Sequence, residues 1–168
     1  RAFWQAAATV SRDYLYRVAH PVTGLTPDYA NFDATPWAAP WHNLSTNFIA
    51  DAWRTAMNWS VDWAWWSADA RATELSDRLQ SFFESLGLTG YPSQFTLDGK
   101  PLDADHSPGL VAMNATASLA ATQSRARRFV LEMWHTPVPS GRYRYYDGML
   151  YLLAMLHCGG EFQIWTPR

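Results

Sequence analysis

Lysine is almost missing from this chain: Lys100 stands alone against twelve arginines, and only Arg125, Arg127 and Arg128 approach a cluster. A nucleic-acid surface needs a basic stripe to neutralise phosphates, so no nucleic-acid partner is expected. Cysteine is as scarce. Cys158 has no second cysteine to pair with and reads as a small buried side chain. No apolar run approaches the length of a membrane span, and no charged, then apolar, then small-residue leader is visible, so no membrane partner is expected. The histidines, His20, His42, His106, His135 and His157, show neither HxxxH nor HxH spacing, and neither a Gly-rich phosphate cradle nor a GxSxG elbow occurs. Metal, nucleotide and serine-hydrolase chemistry therefore have no residues to work with, and no cofactor is expected.

Aromatic residues are in excess. Ten Trp, eight Tyr and eight Phe make 15% of a 168-residue chain that is 48% hydrophobic with a net charge of −2. That size and balance fit one globular domain with a real core. Indoles stack on the C–H faces of sugars, but a Trp-rich core has the same composition, and composition does not separate the two. The chain opens at Arg1, without Met, inside a helical pattern, which suggests a partial chain. Compartment is then not legible, although a bacterial secreted or periplasmic setting is favoured over a cytoplasmic one.

Helical spacing of Phe3, Ala7, Val10, Tyr14 and Val18 predicts a first helix from Ala2 to about His20, closed by Pro21. Pro21, Pro27, Pro36 and Pro40 with Gly24, Asn31 and Asp33 then mark a long ordered loop, the kind of segment that tends to be functional. A second helix is predicted from Asn47 to Trp66, and a third from a Ser67 cap through Leu86, its apolar face formed by Leu75, Leu79, Phe82, Phe83 and Leu86. These two should pack as an antiparallel pair. A weak alternation from Gly90 to Asp105, with Asp98-Gly99 as a turn, allows a short two-stranded excursion. Ser107 or Asp105 should cap an Ala-rich helix reaching Gln123, buried on most sides; Ser124–His135 and Tyr145–His157 complete the set. Six helices, alternately amphipathic and apolar nearly all round, imply an all-α fold of two concentric layers built from αα-hairpins. Six are half of a closed double ring of twelve.

The second helix carries the chemistry. At 100° per residue Asp51, Arg54, Thr55, Asn58 and Asp62 share one arc, with Trp59, Trp63 and Trp66 on the neighbouring face. A solvated face has this pattern too, but the stripe holds no Lys or Glu and is flanked by indoles, as a sugar-lined cleft would be. Arg54, one turn after Asp51, can hold a carboxylate ionised, which suits a general base rather than an acid; a purely structural intrahelical bridge has the same spacing. Asp28, Tyr29 and Asp33 could meet sugar hydroxyls or simply make Asx-turns. His106 precedes a helix start, and Arg142, Tyr143, Arg144, Tyr145 and Tyr146 crowd the entry to the last helix.

TGLTPDY, DAWRTAMNWSVDWAWW, DHSPGLVAMNATASLAA and GRYRYYDGMLYLLAML, in that order, together resemble glycoside hydrolase family 8, above all its xylan-degrading members. The resemblance covers nearly all of residues 1–168. It implies the C-terminal half of a single (α/α)6 catalytic domain that hydrolyses β-1,4-xylosidic bonds in xylan or xylo-oligosaccharides with inversion. Asp51 matches the general base and Arg54 the arginine beside it; Tyr143 and Tyr146 match cleft tyrosines, Trp53 lies close by, and His106 falls where reducing-end-specific members carry a histidine for the leaving-side sugar. The direct DHSPG run shows no inserted kink, which favours an endo-xylanase over a reducing-end xylose-releasing exo-oligoxylanase. The family's SEGMGYG-like acid motif does not occur, so the partners implied are the xylan substrate and the missing N-terminal half of the domain. A non-catalytic helical module that binds glycans or a protein partner is the reading from a different class.

Overall fold

The computed structural model describes residues 1–164 and builds six α-helices: α1 (Ala2–Val18), α2 (Arg54–Trp66), α3 (Arg71–Ser85), α4 (Pro108–Thr116), α5 (Ala126–His135) and α6 (Arg144–Cys158). The expected all-α architecture is what forms. Helix α4 is central: every residue from Gly109 to Thr116 is buried, and it packs against α6, α5 and α2. Its start follows from the sequence. The Ser107 hydroxyl accepts the Gly109 N–H, and Pro108 occupies the first turn, where its missing donor is harmless. Gly109 also sets the α4–α6 approach, because a Cβ there would lie 2.6 Å from an Asp147 carboxylate oxygen.

Helices α2 and α3 form the expected hairpin, joined across the middle by Trp59 Nε1 donating to Ser76 Oγ at 2.9 Å. The turn between them differs from expectation. Ser67 does not cap α3; it ends α2 in the left-handed region (φ 46°), its N–H donating to the Trp63 carbonyl, while α3 begins at Arg71 beside the Asp69 carboxylate. A serine before a polar stretch reads the same at either end of a helix, and the packing of Trp59 on Ser76 decides the register. Leu75, Leu79 and Phe83 are buried as the α3 periodicity requires, whereas Leu86 lies past the helix and is exposed.

The second helix also starts later than Asn47. Phe48 pairs with Phe95 through reciprocal backbone hydrogen bonds of 2.8 and 3.0 Å, Ile49 is extended, and Ala50–Trp53 form a 3-10 turn before the α-helix takes over at Arg54. Burying Phe48 and Ile49 outweighs their helical spacing. From Gly90 to Asp105 no strand forms among the described residues; isolated bridges join Phe95 to Phe48 and to Pro101, with Gly99 in the left-handed region as the Asp98-Gly99 turn needs. The Ala-rich helix stops at Thr116 and tightens into a 3-10 turn through Leu119, short of Gln123.

A knot of rings fixes the loops. Phe83 lies 4.8 Å from Tyr91, 5.8 Å from Phe95 and 6.1 Å from Phe48 between ring centroids, so α3, residues 19–49 and residues 86–107 share one aromatic core. Residues 19–49, 86–107 and 136–143 are the long connections; 67–70 and 120–125 are the short ones. The long ones gather where α2, α4 and α6 begin, as two contacts show. Tyr146 in the first turn of α6 donates to the Ala50 carbonyl at 2.6 Å, and Ser107 before α4 donates to Asp147 at 2.8 Å.

Candidate active site

That gathering of helix starts is the candidate site. Asp51 sits in the 3-10 turn with its side chain about half exposed, and Arg54 Nη2 reaches its carboxylate at 2.8 Å. Tyr146 crosses from α6 to the same turn, and burial pushes its phenol well above the usual tyrosine range, with Arg54 opposing and Asp51 reinforcing the shift. It is therefore a neutral donor and acceptor at any working pH. Trp53 lies beneath it, ring centroids 6.0 Å apart, with its indole buried and its Nε1 donating to the Ser93 carbonyl at 3.1 Å. Asp51, Arg54, Trp53 and Tyr146 are thus one constellation.

His106 and Tyr143 stand at the rim with partners of their own. His106 Nδ1 lies 2.8 Å from the Tyr91 carbonyl and must donate to it, leaving Nε2 to accept from the Gly90 N–H at 3.5 Å. Tyr143 is exposed, precedes α6, and carries the Arg142 guanidinium 5.2 Å above its ring.

The polar stripe of α2 does not act as one surface. Thr55 turns inward to Thr26 at 2.9 Å, and Asp62 takes two hydrogen bonds from Arg12 at 2.7 and 2.8 Å, which tie α1 to α2. Nor do the indoles form one wall: Trp59 is core, Trp63 half-buried and Trp66 exposed. A helical wheel cannot separate these roles, because they depend on which neighbour covers each part of the arc. In the loop, Asp33 makes the Asx-turn, accepting the Thr35 N–H at 3.0 Å, whereas Asp28 folds under Asp51.

Asp28, a candidate for sugar hydroxyls or an Asx-turn, does neither of these, while Asp147, on α6 against the start of α4, escaped sequence reasoning. Burial holds the Asp147 carboxyl above the usual range, against the hydrogen bonds from Ser107 and the Gly109 N–H that favour its charge. A carboxyl raised on folding costs stability while ionised and recovers it as pH falls through the raised value. Asp147→Asn keeps the acceptor oxygen and loses that cost. The variant should melt above the parent near pH 7, with the gap narrowing as pH falls through the raised value and the parent takes up its proton; thermal melts at neutral and acidic pH check it. Cys158 is half-buried, its thiol pushed up to about 11 by burial, which leaves it a poor nucleophile. Among the described residues no group of His, Cys, Asp and Glu could hold a metal ion, and no helix is long and apolar enough to cross a membrane.

Helices α2, α4 and α6 start together around an arginine-braced carboxylate and a tyrosine, in an all-α chain of paired helices. The chain belongs to glycosyl hydrolases family 8, whose family model matches residues 1–160. A xylobiose complex of a family-8 protein from Teredinibacter turnerae is 54% identical and superposes with a TM-score of 0.96, covering 99% of this chain and 42% of that one. The reducing-end xylose-releasing exo-oligoxylanase Rex8A of Paenibacillus barcinonensis is 42% identical over 98% of this chain and 44% of its own length. Its xylose complex superposes with a TM-score of 0.93, covering 99% of this chain and 45% of that one. The chain thus spans less than half the length of these relatives, and its six helices are half of their (α/α)6 barrel.

Proposed function

We propose that this chain supplies the general base for inverting hydrolysis of β-1,4-xylosidic bonds in xylan or xylo-oligosaccharides, as one half of a single catalytic domain. The observation that carries the reading is the Asp51–Arg54 pair, exposed at the mouth yet held at 2.8 Å, in a chain of this family. A base must reach a water, and the Asp51 carboxylate is half exposed with a cation beside it. Tyr146 and Tyr143 line the approach, Trp53 backs Tyr146, and His106 stands on the rim. The general acid and the rest of the sugar-binding cleft belong to the half of the barrel outside this chain.

An endo mode is favoured by the direct DHSPG run, Asp105–Gly109, which shows no insertion, and by a His106 ring whose Nδ1 already donates to a backbone carbonyl. The exo mode has its support in the Paenibacillus relative. Hydrolysis of xylohexaose by the complete enzyme, with product length and anomeric configuration followed by NMR, separates the readings. Mixed xylo-oligosaccharides of inverted, α configuration are expected. Xylose released first and alone from the reducing end would replace endo with exo action, and retained configuration would overturn inversion.

A further inference from the structure

The 3-10 turn that bears Asp51 begins at Ile49, which offers no side-chain cap. The Asp51 N–H at its start is met from 23 positions away in the chain. Asp28 Oδ1 accepts it at 3.1 Å, while the Ala52 N–H donates to the Ile49 carbonyl at 2.8 Å. The second oxygen, Oδ2, lies 3.4 Å from His42 Nε2, while His42 Nδ1 accepts the Leu44 N–H, so the ring turns its proton towards Asp28. The Asp28 side chain is 5% exposed. Its own backbone is locked by its N–H to the Asn47 carbonyl at 2.8 Å and by the neighbouring Tyr29 N–H to Ser45 at 2.9 Å.

The geometry points to Asp28 as a positioning residue for the base: its carboxylate, backed by His42, fixes where the Asp51 side chain points and which charges it faces. The inference rests on the assignment of Asp51 as base. Burial holds the Asp28 carboxyl above the usual range, Asp51 adds to the shift, and His42 and the Asp51 N–H oppose it. The other titratable groups at this end are Arg54, on the Asp51 carboxylate, and Tyr146, across from both aspartates. A negative charge so close to the base makes its ionisation harder, which a purely structural strut would not do.

The test uses four variants of the complete enzyme, each checked by circular dichroism and thermal melting, with kcat and KM on xylohexaose across pH. Asp51→Asn tests the base assignment itself: near-normal turnover would remove it, and the present inference with it. Given an inactive Asp51→Asn, Asp28→Ala should lower kcat by about 10²-fold with KM little changed, the scale of a displaced catalytic group. Asp28→Asn keeps the capping oxygen and loses the charge, so its acidic limb of kcat/KM should move to lower pH. His42→Gln keeps a neutral donor towards Asp28, so its limb should stay with the parent's. A limb that moves in Asp28→Asn alone supports the inference even where Asp28→Ala fails to fold. An unmoved Asp28→Asn limb, limbs that move together, or a folded Asp28→Ala with parental kcat would overturn it.

Discussion

Asp51→Asn in the complete enzyme should lower turnover on xylohexaose by about 10²- to 10⁴-fold, the usual worth of a positioned general base, with KM little changed. The substitution is close to isosteric. Its amide oxygen can still accept from Arg54 Nη2, which now lies 2.8 Å from the carboxylate, and its backbone N–H stays on Asp28. Fold and approach are thus preserved, and what disappears is the ability to take a proton from water. A loss that falls equally on kcat and kcat/KM is the signature of an interaction made only in the transition state. A rise in KM with kcat intact would instead make Asp51 a sugar-binding group.

The second large effect is a complete one: residues 1–168 alone should hydrolyse no xylan, and activity should appear on joining them to the other half of the barrel. Inversion needs two carboxyl groups about 6.5–9.5 Å apart on opposite sides of the bond. Within this chain Glu74 pairs with Arg78, and Glu84 with Arg125 and Arg128; Glu132 lies on α5. Asp28 is near Asp51 but beneath it, occupied as a cap. None of these four is bonded to the Asp51 carboxylate, which pairs with Arg54. The same chain exposes Phe3, Trp4 and Val10 on α1, Trp66 on α2, and Met149 and Leu152 on α6. Such surface favours self-association, so sedimentation should show species larger than a monomer. Xylan cleavage by the purified chain, free of the complete enzyme, would refute the first statement, and a monodisperse monomer the second.

The helices were legible because each advertises a period: Leu75, Leu79 and Phe83 on α3, and the all-apolar run of α4 after Ser-Pro. Their ends were less so. Ser67 and Asn47 are cap-forming residues, but the Trp59–Ser76 contact and the Phe48–Phe95 pairing, both remote in sequence, decided where α2 starts and stops. Of the candidate site, the Asp51–Arg54 pair could be read from spacing alone, and its place beside Tyr146 from the resemblance. The partners of Asp28 and Asp147 were not legible, since Asp28 bonds a turn, and Asp147 the residue before a helix, far along the chain, and neither leaves a local pattern. Asp62, which shares an arc with Asp51, serves α1 instead, a division no helical wheel encodes.

The uneven lengths of the connections carry a last consequence. Residues 19–49, 86–107 and 136–143 meet at the end where Asp51 lies, and only the turns 67–70 and 120–125 close the other. A turn of a few residues sets the angle between two helices, so inserting or deleting there would shear the layers. A long surface segment tolerates a change of length at small entropic cost. Variation is therefore cheap at one pole of the molecule and ruinous at the other. A lineage built on this frame can alter which stretch of a polymer it grips, or block one side of the groove, while the helices that carry the base stay as they are.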